Sequence, residues 1–216
     1  FDGGGIYCTG GGTVWVYAGS GVSENRAARG GGIFLDGCTL ELSAGGPAMA
    51  ALDPDDAGAP APEGMGDPYW GIWYNQATAA GGGVYAQDGA DIVANRASIR
   101  ENRAEGRGAG LYLTGSGTSA TLTDSEMVRN FLVDGSQGAA AVVANQATLL
   151  VERSNAPCDA GYRCSLLDRN QVVLSASGPG GMLKVESGGK ATIRQTMITG
   201  ALVAYEGGGV ALVEGS

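Results

Sequence analysis

The stretch "GGGVYAQDGADIVANRASIRENRAEGRGAGLYL", residues 81–113, contains two near-copies of one phrase: a run of small residues, a short apolar segment, and an Asn before the next run. The unit 81–107 divides into three short strands, Gly83 to Ala86, Ala90 to Ala94 and Ser98 to Arg100, with Gly-Ala-Asp and Glu-Asn-Arg corners between them. Short alternating segments of this kind each bury one face. A unit that holds three of them and no helix buries those faces only by coiling once and stacking on its neighbours, as in a parallel β-helix.

Working outward, the first apolar residue after each small run is Ile6, Ile33, Val84, Leu111, Val142, Met182 and Val210, at intervals of 27, 51, 27, 31, 40 and 28. Three intervals share one period, and the longer ones read as the same unit carrying an insertion. A second marker, an apolar residue three places before Asn, ends at Asn25, Asn75, Asn102, Asn130 and Asn170; in the sixth unit Gly200 stands where Asn is expected. The chain therefore reads as all-β, a solenoid of about six to seven coils over 1–216, roughly 30 Å long at ~4.8 Å per coil. The five Asn are expected to form a structural ladder, each taking the left-handed corner conformation and bonding to the Asn above and below. The glycine runs serve corners where a Cβ would meet the next coil.

The alternating "GGGI" or "GGGV" runs and apolar-x-x-Asn segments resemble the paired GGA(I/L/V) and FxxN repeats of the polymorphic outer membrane proteins. The likeness covers nearly the whole chain and departs in one respect, since Val22, Ile72, Ile99, Met127 and Leu167 replace the Phe of FxxN. It implies a right-handed parallel β-helix of the pectate-lyase-like class, with adhesive or structural duties in an extracellular or cell-surface, outer-membrane-associated setting. The chain opens and closes inside the phrase, at "FDGGGIYC" and "YEGGGVALVEGS". That leads us to expect a segment of a longer solenoid, or coil ends covered by other chains or by self-association.

A net charge of −9 with two lysines and no histidine argues against nucleic acid as a partner, because that affinity rests on clustered Lys and Arg. No apolar run approaches the ~20 residues of a transmembrane helix. Of the four cysteines, Cys158 and Cys164 bracket a short Gly-containing loop and are expected to pair; Cys8 and Cys38 occupy different places in successive repeats, which leaves their pairing open. Two insertions stand out. Residues 44–71 form a Pro/Asp-rich loop, in which Asp53, Asp55, Asp56 and Asp67 are weak candidates for calcium ligands, and residues 154–166 hold the Cys158–Cys164 loop. No other metal or cofactor is indicated. Long excursions on a repeat scaffold commonly carry binding.

Catalysis was tested against the residues that polysaccharide cleavage requires. Asp36, Asp88 and Asp91 are the candidate acids, and Arg26, Arg100, Arg103, Arg129 and Arg169 form a candidate basic stripe. No Asp-Asp, Asn-Thr-Asp or Arg-Ile-Lys phrase accompanies them, so no catalytic residue is assigned. Tyr7, Phe34, Tyr85 and Tyr112 each follow an inward residue and are expected to stack outward in an aromatic ladder, a platform for a surface glycan or simply a structural stack. The sequence is read as a non-enzymatic structural or adhesive repeat protein that binds a partner protein, itself or a surface glycan through its ladders and loops. The alternative is a secreted polysaccharide lyase or glycoside hydrolase of the β-helix class.

Overall fold

The computed structural model describes residues 1–17, 19–43, 70–133, 138–154, 165–172 and 181–200, and the backbone of 202–203 and 210–212. Over these residues the chain coils six times, right-handed, and enters a seventh turn. Strands of successive coils pair in parallel to give one sheet of seven strands and three of six. The third coil shows the plan: Val84–Gln87 lies in the first sheet, Asp91–Asn95 in the second, Ser98–Arg100 in the third and Arg103–Ala104 in the fourth.

That fourth strand differs from the expected three. It holds two residues and turns one of them, Ala104, into the interior, too short a run for alternation to register. Register moves two markers by one place, since Leu111 pairs with Ala141 and Ala141 with Leu183, displacing Val142 and Met182. In the fifth coil the inward residue is itself an alanine, so the boundary between small run and strand is blurred in the sequence. Gly200 moves as well: Leu167 pairs with Ile198, which sets Gly200 beside Arg169 and not beside Asn170.

The first three sheets enclose the main core, where Ile33, Leu35, Ile92, Ile99, Leu113 and Met127 are fully buried. Each contributes roughly 1.5–3 kcal/mol by leaving water. A second, smaller core packs Ala77, Ala104 and Leu132 of the fourth sheet against Ala109 and Ala139 of the small-residue runs. Coils approach closely there: a Cβ on Gly83 would lie 2.7 Å from the Gly110 carbonyl oxygen of the next coil. Gly81, which opens the same run, turns the chain with φ of 66°.

Between the second and third sheets the uninterrupted coils turn on two residues, Arg96-Ala97 in the third and Asp124-Ser125 in the fourth. In the second coil the chain leaves this corner after Thr39–Ser43 and returns at Gly71–Trp73; in the fifth it leaves after Thr148–Glu152 and returns at Leu166–Asp168. Both long insertions therefore depart from one corner, on either side of the third and fourth coils.

Candidate functional site

At the corner between the third and fourth sheets, the Asn side chains bond in series. The Oδ1 of Asn102 accepts from the backbone N–H of Asn75 at 3.1 Å and from its Nδ2 at 3.0 Å. Asn102 in turn donates both groups to Asn130 at 3.1 Å, and Asn130 donates both to Asn170. Asn25 starts the series on Asn75. Each amide also reaches back to a strand carbonyl, as Asn102 Nδ2 does to Ile72 at 3.0 Å. The left-handed residue is not the Asn but the one before it: Glu24, Tyr74, Glu101, Arg129 and Arg169 have φ between 48° and 60°. The Asn backbone stays out of the strained region so that its amide can point inward, while its predecessor turns the corner and points out.

The corner between the second and third sheets carries hydroxyls that the sequence reading missed. Ser125 Oγ donates to the Thr123 carbonyl at 2.8 Å, and Thr196 Oγ1 donates to that of Arg194 at 2.9 Å. Ser165, the register equivalent of Ser125, makes the same bond to Glu152 at 2.6 Å although an insertion separates the two residues. The hydroxyl thus closes the neck of the insertion as it closes an ordinary turn. Isolated serines near corners are common enough that only register singles these out.

On the outer face of the first sheet the rings of Tyr7, Phe34, Tyr85 and Tyr112 stack at 5.2, 5.2 and 5.0 Å between centroids. Their exposure departs from expectation: Tyr7 is 56% exposed, but Phe34, Tyr85 and Tyr112 are 2%, 8% and 9% exposed, packed with Ala80, Val142 and Ala144. The Arg29 guanidinium lies 5.1 Å from the Phe34 centroid and 5.2 Å from that of Tyr85, and grips Asp2 through bonds of 3.0 and 2.7 Å. These three rings therefore offer no open sugar platform. The Arg29 hydrogen bonds hold the Asp2 carboxyl below its usual range, and burial raises the Tyr85 hydroxyl above its usual 10.0.

Cys8 and Cys38 are joined as a disulfide, their Cα atoms 6.1 Å apart. Cys8 is in register with Leu35, and Cys38 lies at the next corner of the neighbouring coil, so the bond runs diagonally across that corner. Unequal places in the repeat were no obstacle. Cys158, Cys164 and the four calcium candidates lie outside the described residues. Among the described residues, no group of three or more His, Cys, Asp or Glu is placed to hold a metal ion. No described helix is long and apolar enough to cross a membrane.

Comparison with protein families, curated proteins and solved structures found no match. The chemistry is accordingly read from placement. Asp36 faces Gln87 across the coils, Asp88 follows at the corner and accepts a bond from Gln87 Nε2 at 3.0 Å, and Asp91 accepts one from Ser119 Oγ. These acids gather where the first sheet meets the second. Arg129 and Arg169 stand at the asparagine corner, Arg26 and Arg103 begin strands of the fourth sheet, and Arg100 is buried in the third. The candidate acids thus lie at the junction of the first and second sheets and the candidate bases on the third and fourth sheets and the corner between them.

Proposed function

We propose that the chain is a non-enzymatic structural or adhesive module of a secreted or cell-surface protein, a rigid rod that presents loops to a partner. The observation that carries this reading is the shared corner from which both long insertions leave the coil. Two excursions emerging from one edge, with two regular coils between them, address one partner together. The Cys8–Cys38 disulfide supports an oxidising, extracytoplasmic setting. The repeat phrasing supports kinship with the polymorphic outer membrane proteins.

The test shortens residues 44–69, and separately 153–164, to a single Asp, the residue that turns the same corner as Asp124. Binding to a printed glycan array and to the immobilised chain itself is then compared with the unaltered chain. Binding lost with either loop while circular dichroism is unchanged supports the reading. Binding indifferent to both loops ends it, and release of unsaturated uronate from acidic polysaccharide, seen by ultraviolet absorbance, replaces it with a lyase.

A further inference from the structure

The second sheet combines long strands with an open outer face. Each of its six strands runs five residues and turns the second and fourth inward, so the first, third and fifth side chains of every coil stand outside. In the middle row Trp15 and Val93 are 50% and 42% exposed. The longer-stranded neighbours differ: on their outer sides the first sheet buries Phe34 and Val142, and the third buries Arg100 and Val128. Charge on the open face is unevenly spread. Glu41 in the second coil and Asp91 in the third are acidic, the fourth coil presents only Ser119, Thr121 and Thr123, and the sixth presents Lys190 and Arg194. Arg194 stands 3.7 Å from Glu152 of the fifth coil, a loose and exposed pairing.

We propose that this face packs against the same face of a second copy, with the two rods antiparallel. A two-fold contact between identical sheet faces can be made in two ways. With the rods parallel, every coil meets its own counterpart and the strand runs in reverse, so Glu41 opposes Glu41 and Lys190 opposes Arg194. Like charges then meet at both ends. With the rods antiparallel about an axis through Thr121, the second coil meets the sixth and the third meets the fifth. Glu41 now lies opposite Thr192, between Lys190 and Arg194 of the second copy. Val93 meets Leu150, Asp91 meets the Thr148 hydroxyl, and Asn95 meets Glu152, with no like charges opposed. The face spans about 24 Å along the rod and about 13 Å along the strands. That is small beside the roughly 800 Å² per partner of stable complexes, so association is expected to be micromolar or weaker. The surface is distinct from both insertions, and the inference does not depend on the loop-mediated adhesion proposed above.

Sedimentation velocity of the full chain, from micromolar to submillimolar concentration, is the test. The unaltered chain is expected to pass from monomer to dimer. Glu41→Lys, and separately Lys190→Glu with Arg194→Glu, should each weaken the dimer about tenfold or more, although the first lowers the net negative charge of the chain and the second raises it. The three changes together exchange the signs and should restore the dimer to within about threefold. Thr121→Arg, which sets two cations against each other on the axis, should also weaken it. Unchanged thermal unfolding by circular dichroism shows that each variant still folds. No dimer in the unaltered chain, indifference to the charge reversals, or failure of the combined variant to restore association overturns the proposal. A tighter dimer from Lys190→Glu alone indicates parallel rods and overturns it as well. A dimer that survives shortening of residues 44–69 and 153–164 supports the sheet face, and one that is lost with either belongs to the insertions.

Discussion

Two corners of the same coil meet the same steric demand in different ways. At the asparagine corner each turn depends on the next coil, because the amide of one Asn accepts from the backbone and side chain of another. At the corner between the second and third sheets, Ser125, Ser165 and Thr196 each satisfy a carbonyl of their own coil, and Ser125 Oγ also accepts from the Ala97 N–H of the preceding coil at 3.1 Å. The own-coil bond of Ser165 is made across an insertion as Ser125 makes it across an ordinary turn, so this corner accommodates added length. The asparagine corner has no such bond to fall back on: displacing one Asn leaves its neighbours with buried, unpaired groups. Both long insertions sit at the corner between the second and third sheets, the one after Glu152 rejoining at Ser165 and the one after Ser43 at Trp70, the register equivalent of Ser125 in the second coil.

The most severe way to break this contrast is transposition. Moving residues 153–164 from this corner to the asparagine corner, between Glu101 and Asn102, should abolish cooperative unfolding in urea, whereas replacing them in place by a single Asp should shift stability by about 1 kcal/mol or less. Equal effects would remove the distinction. Next in size, Asn102→Ala should cost about 3–5 kcal/mol in urea denaturation. It leaves the Ile72 carbonyl and the Asn75 N–H without their partners, each worth about 1–3 kcal/mol when buried. Asn25→Ala, at the half-buried start of the ladder, should cost less. Ser165→Ala should cost about 1 kcal/mol and raise amide exchange at the neck of the insertion alone; exchange spread across the fifth coil would mean that the neck is not a local closure.

The smallest effect concerns pH. Burial raises the Tyr85 hydroxyl, so the folded state holds its proton above the pH at which the unfolded chain releases it. Stability from this group is complete below about pH 10 and declines as pH rises past it. A melting temperature that falls across this range in the unaltered chain and falls less in Tyr85→Phe is the expected outcome.

The coil period and the asparagine positions were legible because each marker recurs as a residue type with few substitutes. What escaped detection was a matter of direction or of length. The fourth strand shows a single inward residue per coil, as with Ala104, and offers no alternation to read. The left-handed position is filled by Glu, Tyr and Arg as readily as by glycine, so composition does not mark it. Aromatic stacking followed from spacing, but the enclosure of Phe34, Tyr85 and Tyr112 depends on Ala80 and Arg29 from the preceding strands, which fold against the rings across the small-residue run. The candidate basic stripe divides instead among the asparagine corner, the third sheet and the fourth sheet, with Arg129 and Arg169 paired to Glu101 and Asp168, because spacing alone does not say which side of a corner a residue takes.

The diagonal disulfide has a mechanical consequence. A stacked solenoid under tension peels one coil at a time, each rupture releasing the length of a turn. Cys8 and Cys38 enclose a separation of 30 residues, which withholds about 100 Å of extension from any pull across them. Force arriving at the first coil therefore passes undiminished to the second. A reducing agent would make this pair of coils extensible, so the compliance of the rod between them is set by its redox environment.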